Sequence, residues 1–261
     1  MKKQKIRRAL PIAPTAWATR YTPAVLEGIA AGERAAAELA LARGGEAGAI
    51  EAAVQALARA EALLARAATV EPPGRPIECR AGCSTCCAAK VLVMAPEVLR
   101  IVAHLRASRD PRSLAALLER VRAADARTRG KTRLERAEAG EPCPLLDERG
   151  ACSVHAVRPL VCAGWTSIDV SACERHFADP STEPAAPMHA PSYELANAVL
   201  AGIGWALKER GLDAAPLELI AALRIALERP NAGERWLGRL PVFAMARDSE
   251  WRETNERVGP P

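Results

Sequence analysis

Along residues 24–43 and 46–68, small apolar side chains recur at helical intervals among Glu and Arg, and Gly44-Gly45 separates the two runs. In the second run Ile50, Val54, Leu57 and Leu64 keep to one helical face. The pattern predicts an antiparallel helical hairpin whose first helix ends at the glycines. Pro72-Pro73-Gly74-Arg75-Pro76 breaks the period and predicts an extended linker. The run Lys90-Val91-Leu92-Val93-Met94 is too short for periodicity to decide between helix and strand. Beyond it, Pro96 and Glu97 suit the first turn of a helix on which Val98, Ile101, Val102 and Leu105 form a single stripe. Asp110-Pro111 predicts the start of another, carrying Leu114, Leu117, Leu118 and Val121 and running on through Arg-rich residues that Gly130 weakens.

Between Gly140 and Pro191 the character changes. Pro142, Pro144, Pro159, Pro180, Pro184, Pro187 and Pro191 argue against long helices there. Helical spacing resumes with Ser192 as N-cap and Leu195, Val199, Ile203 and Leu207 along one face. A further helix is expected to start near Asp213 and carry Leu219, Ile220, Leu223 and Leu227, while the stretch from Trp236 to Val258 has no clear period. The expected fold class is mainly α, a helical protein with a central, loop-rich cysteine cluster. Three units are expected: a basic tail and helical hairpin over 1–70, a cysteine segment over 77–178, and C-terminal helices over 192–258 packing on it. Composition agrees, since Phe and Tyr number two each and strands lack their favoured aromatics.

Charge narrows the partners. Lys and Arg exceed Asp and Glu by only five (36 against 31), and the arginines are interleaved with Glu and Ala, which argues against a nucleic-acid binder. The densest basic stretch, Arg120, Arg122, Arg127, Arg129, Lys131, Arg133 and Arg136, lacks interleaved aromatics and is expected to be a solvated face paired with Glu. No uncharged apolar run approaches the ~18 residues that a membrane span needs. The basic N-terminus is interrupted by Pro11 and Pro14 before any continuous apolar stretch of ~7–15 residues, so no export signal is expected. A reducing, cytoplasmic setting follows, where disulfides do not persist.

Eight cysteines in such a chain call for another explanation. All lie between residues 79 and 173. The first group is Cys79-x3-Cys83-x2-Cys86-Cys87, which would share one face if helical, or sit in a looser loop at Gly82. The second comprises Cys143, Cys152 and Cys162 with Cys173 beyond, on a proline-punctuated backbone that suggests a loop wrapped around something. Clustered thiols that share a cation are deprotonated by it, and thiolate-rich sites select zinc or iron–sulfur clusters over hard cations. The expected partner is therefore a metal ion or cluster, either zinc or an iron–sulfur cluster, held by Cys79, Cys83, Cys86, Cys87, Cys143, Cys152, Cys162 and Cys173. The vicinal pair Cys86-Cys87 fits two arrangements: one of the two ligates a shared centre, or there are two centres. Among the histidines, His104 is expected on a solvated face and His189 in an exposed loop, whereas His176 could complete a zinc site with Cys173.

The boxes Cys-x3-Cys-x2-Cys-Cys, Cys143-Pro-Leu-Leu and Gly150-x-Cys-Ser-Val-x3-Arg-Pro-x2-Cys resemble the YkgJ-type cysteine-cluster family over roughly residues 77–175. The resemblance implies a domain that chelates zinc or iron, and the same cysteine box occurs in flagellin lysine-N-methylases. It implies that Cys79, Cys83, Cys86, Cys87, Cys143, Cys152 and Cys162 are the cluster cysteines, with Cys173 in a Ser167-x-Asp169-x3-Cys173 context of a subgroup. His155 stands where the family often has Tyr. Ala163 stands where Arg is usual, which leaves a charge partner of the centre missing. Arg158-Pro159 is retained and is expected to be structural or to support the ligands from behind, not to ligate.

Three enzymatic chemistries compete with plain metal binding. Cys79-x3-Cys83-x2-Cys86 has the spacing of radical S-adenosylmethionine enzymes, but Thr85 replaces their aromatic residue and the segments that follow are helical. Cys83-x2-Cys86 has dithiol-oxidoreductase spacing without the βαβ context. Lysine methylation would need an S-adenosylmethionine site, and no Gly-rich strand–turn–helix supplies one. The expected function is metal binding without an assigned reaction; the alternative is an enzyme that uses the centre for redox chemistry or methyl transfer.

Overall fold

A computed structural model describes residues 21–180, 188–248 and 250. The basic tail, Pro184, Pro187 and the chain end at Val258 lie outside the described residues. Thr22 accepts the Val25 N–H and starts α1 (Pro23–Leu41). Gly44 and Gly45, at φ of 77° and 63°, turn the chain into α2 (Gly45–Val70), so the hairpin forms where the glycines predict it. The buried face of α2 differs from the expected one. Ala49, Ala52, Ala53, Ala56 and Ala60 are the fully covered positions, while Val54 is 44% exposed. The larger aliphatic stripe is turned by about one residue, because alanines admit a closer helix approach than branched side chains allow. A bidentate pair from Arg59 to the buried Glu33 (2.6 and 2.7 Å) fixes α1 against α2.

Leu92–Val93 is a short strand, β1, antiparallel to β2 (Leu217–Glu218). It leads into α3 (Ala95–Ser108), on which Val98, Ile101, Val102 and Leu105 are all buried, as the stripe requires. Asp110 caps α4 (Pro111–Thr128) by accepting the N–H groups of Arg112 and Ser113. The Arg-rich run is not one continuous helix. Gly130, at φ 75°, breaks it, and a Thr132–Glu135 capping box starts the separate α5 (Arg133–Glu138). Three of its six arginines are ion-paired, Arg122 with Glu119 and Glu228, Arg127 with Glu141, and Arg129 with Asp125.

Before α8, the described residues of the proline-rich stretch hold the short α6 (Leu160–Gly164) and α7 (Val170–Ala178) and a 3-10 turn at His155–Val157. Then comes α8 (Ala190–Glu209), which starts two residues earlier than Ser192. His189 occupies the N-cap position and is 7% exposed rather than solvated, with its Nδ1 2.7 Å from Ser192 Oγ. The following helix, α9 (Leu219–Glu228), begins at its cap Glu218 and not near Asp213, because residues 217–218 are taken up by β2. Asp213 instead accepts from Arg247 at 2.8 Å. The last described helix is α10 (Ala232–Leu237).

With ten α-helices and one two-stranded sheet among the described residues, the fold is mainly α. One contiguous core joins α2, α3, α4, α8 and α9 with Leu145, Val154, Leu160 and Ala163 of the cysteine segment. No helix among the described residues is long and apolar enough to cross a membrane.

Candidate metal centre

Two loops and two short helices carry the cysteines. Cys79 lies in extended chain, Cys83 follows a turn at Gly82 (φ 82°), and Cys86 and Cys87 sit on the 3-10 turn Thr85–Ala88. Of the two alternatives for this box, the loop is the one formed. The chain at Glu78–Cys79 runs against Ser167: Glu78 N–H reaches the Ser167 carbonyl (2.9 Å), and Ser167 N–H donates to Cys79 Sγ (3.2 Å). Glu78 also accepts the Val170 N–H at the start of α7 (2.8 Å). That helix is capped by Asp169, whose side chain accepts the Ala172 N–H, and it packs on the 3-10 turn. Cys173, buried on α7, has its thiol hydrogen-bonded to the Ser167 side chain. Ser167 thus touches both Cys79 and Cys173, which gives the Ser167-x-Asp169-x3-Cys173 pattern a physical meaning.

Cys143 and Cys152 occupy a small hairpin. Leu146 bridges Cys152, Ser153 N–H reaches the Leu145 carbonyl (2.9 Å), and Asp147 Oδ1 accepts the N–H groups of Arg149 and Ala151. Each sulfur receives a backbone N–H from the residue two positions on, Leu145 to Cys143 and Val154 to Cys152. Leu145 and Val154 are each 1% exposed, so the hairpin is pinned to the core by the same residues that donate to sulfur. Its tip meets the first loop: a Cβ on Gly150 would lie 3.6 Å from the Gly82 carbonyl oxygen and from Ser84 Oγ. The two cysteine stretches therefore converge.

Cys162 is placed by α6. Pro159 occupies the N-cap position of this helix, and Leu160 N–H donates to Glu97 Oε1 (2.9 Å). Glu97 Oε2 takes the Met94 N–H at 2.9 Å, so one buried carboxylate clamps the starts of α3 and α6 together. The buried Arg100 of α3 binds the carbonyls of Ala53 (2.6 Å), Val157 (3.0 Å) and Arg158 (2.8 Å). Arg158 itself pairs with Glu61 at 2.8 Å. Arg158-Pro159 is structural in this sense, held from both sides.

All eight cysteines are unbridged. Cys87, Cys143, Cys152 and Cys162 are mutual neighbours, each close enough for the charge on others of the set to raise a thiol pKa. Cys173 stands in the same relation to Cys79 and Cys83. Cys86 lies between the two sets, within reach of Cys162 and Cys79, and shares a hydrogen bond with Cys87 that raises its own pKa and lowers that of Cys87. Burial pushes the Cys143 thiol up to about 12 and raises Cys152 and Cys162 as well. Without a cation these groups remain protonated at neutral pH. Among the described residues no three Cys, His, Asp or Glu side chains stand in finished ligating geometry, so the sulfurs form a neighbourhood and not a closed shell. The donor chemistry nonetheless fits a soft metal: sulfur only, mostly half-buried, with amide N–H groups aimed at Cys79, Cys143 and Cys152.

Positive charge next to the sulfurs comes from Arg136, which faces Cys143, and from Arg158, which faces Cys152. This answers the missing Arg at position 163, where Ala163 is core. Arg136 is 1% exposed, and none of its three guanidinium nitrogens has a hydrogen-bond partner among the described residues. Its place in an apparently solvated Arg-rich run hid it from the sequence. Ser167 and Arg100 were likewise missed, since only long-range pairing reveals them. His155 is exposed on its 3-10 turn. His176 stands one helical turn after Cys173, with its ring 5.1 Å from that of Phe177.

No curated protein and no solved structure matches the chain. Residues 78–175, which hold all eight cysteines, match the family model CxxCxxCC, described as a "putative zinc- or iron-chelating domain".

Proposed function

We propose that this protein binds zinc or an iron–sulfur cluster through cysteine thiolates contributed by both cysteine stretches. The observation that carries the reading is the convergence of the two cysteine stretches, where the tip of the Cys143–Cys152 hairpin meets the first cysteine loop at Gly82 and Ser84. Four thiolates complete the shell of a structural zinc ion or a [4Fe–4S] cluster. Unbridged thiols in this number suit a reducing, cytoplasmic setting. Bound metal would replace the protons that burial holds on Cys143 and Cys162, and the energy of ligation would order a region whose own apolar periodicity is weak.

Metal analysis of anaerobically purified protein tests the reading. Brown protein that absorbs near ~400 nm identifies an iron–sulfur cluster, and colourless protein with stoichiometric zinc identifies a zinc site. Cys152→Ser is expected to lower metal content. Protein that purifies without metal, takes up none from zinc or from iron and sulfide, and is unaffected by Cys152→Ser overturns it.

A further inference from the structure

We infer that Ser167 is a positioning residue for the metal site: its amide directs the Cys79 sulfur and its hydroxyl directs the Cys173 sulfur. The inference rests on the metal-binding reading and names what holds two of its thiols in place. Ser167 is 1% exposed, and each of its polar groups is engaged. Its carbonyl accepts the Glu78 N–H at 2.9 Å, and its N–H donates to Cys79 Sγ at 3.2 Å. Its hydroxyl oxygen accepts the Asp169 N–H and donates to the Asp169 carbonyl, each at 3.1 Å. That same carbonyl accepts the Cys173 N–H at 3.3 Å, while the Asp169 side chain takes the Ala172 N–H at 2.9 Å. The hydroxyl thereby fixes the first turn of the helix on which Cys173 stands, and it touches the Cys173 thiol as well.

Ser167 is tied to the helical frame as well as to the cysteine loops. It forms an antiparallel bridge with Met188, and the neighbouring Thr166 carbonyl accepts the His189 N–H at 2.8 Å, at the start of α8. Residues of α8 belong to the core, so the anchor is rigid. Cys79 stands exposed in extended chain, and Ser167 gives its sulfur a fixed donor. A metal-bound sulfur carries negative charge, and N–H or O–H donors orient it and offset that charge. The protons balance. With the thiols protonated, Cys79 Sγ faces the Ser167 carbonyl at 3.9 Å, and the single hydroxyl proton of Ser167 goes to Asp169. Loading releases the thiol protons to solvent with no change of oxidation state. The Ser167 amide then already points at Cys79, and the hydroxyl turns its proton from the Asp169 carbonyl to the Cys173 sulfur.

The test uses the full chain, stripped of metal under reducing conditions, with zinc affinity measured by chelator competition. Ser167→Ala removes the hydroxyl and keeps the amide that serves Cys79. It is expected to bind zinc about ten-fold more weakly than wild type, with an unchanged far-ultraviolet circular dichroism spectrum. In a Cys173→Ser background the same replacement is expected to weaken binding no further, because the hydroxyl acts through that sulfur. Loaded with cobalt(II) instead of zinc, Ser167→Ala is expected to shift the sulfur-to-cobalt charge-transfer band, which a purely structural loss would not move. Unchanged zinc affinity, an unmoved cobalt band, or a loss that persists at full size in the Cys173→Ser background overturns the inference and leaves metal binding intact. Wild type that takes up no zinc removes the underlying reading instead.

Discussion

Arg136 and Glu97 are buried charges with opposite accommodation. The carboxylate of Glu97 has two backbone donors and neighbouring Arg100, yet burial outweighs them and its pKa is raised. A carboxyl that holds its proton more tightly when folded contributes stability below its unfolded pKa and loses it as pH rises through the folded one. The stability advantage of wild type over Glu97→Gln is therefore expected to be largest in acid and to shrink as pH rises through that window. Urea unfolding at a series of pH values measures it, and a gap that widens with pH contradicts it. The guanidinium of Arg136 has no such partners among the described residues and meets Glu218, Cys143 and Glu141 through its charge. A buried cation of this kind is often no asset to stability, but it offsets the negative charge of a metal–thiolate site. Arg136→Met is accordingly expected to weaken zinc binding about ten-fold in chelator competition, with the Tm of the metal-free protein unchanged or raised. Weaker folding with unchanged affinity would assign Arg136 a purely structural role.

Close helix approaches set where the sulfurs can stand. On α6, a Cβ added at Gly164 would lie 2.5 Å from Ala196 Cβ and 2.9 Å from the Ser192 carbonyl oxygen of α8. Gly202 plays the same part between α8 and α1, 2.5 Å from the Ala30 carbonyl oxygen. Gly164→Ala is expected to cost ~1–3 kcal/mol in urea unfolding and to lower metal retention through displacement of Cys162. Helix starts were legible wherever a capping side chain or proline announced them, as at Asp110 and at Pro96 before the Val98–Leu105 stripe. The buried face of α2 was not, because a stripe of alanines in an alanine-rich helix gives no contrast between sides. Nor was the burial of His189, which depends on Thr166 and Ser192 meeting it from different segments.

The helices and the cysteine segment share one core, but they do not depend on metal equally. The hairpin pair α1 and α2 and the long α8 pack on one another through alanines and the Arg59–Glu33 pair. The hairpin at Cys143–Val154 and helices α6 and α7 are short. Chelation is expected to speed amide exchange over 140–178 while residues in α1, α2 and α8 keep their protection. Uniform loss of protection would mean that the centre supports the whole fold. At this scale the class of the molecule and the chemistry of its cysteines were legible, since helical period and thiol clustering are local signals. The return of α7, which bears Cys173, to the turn at Thr85–Ala88 was not, because it is decided by which distant segments meet.

Cys79 is exposed, Cys173 is buried and the other sulfurs are half-covered. An alkylating reagent added to the metal-free protein thus meets Cys79 before Cys173, whose burial also holds its thiol protonated. Mass increments mapped over time should reproduce that queue, and oxidants arriving from solvent would do their damage in the same sequence.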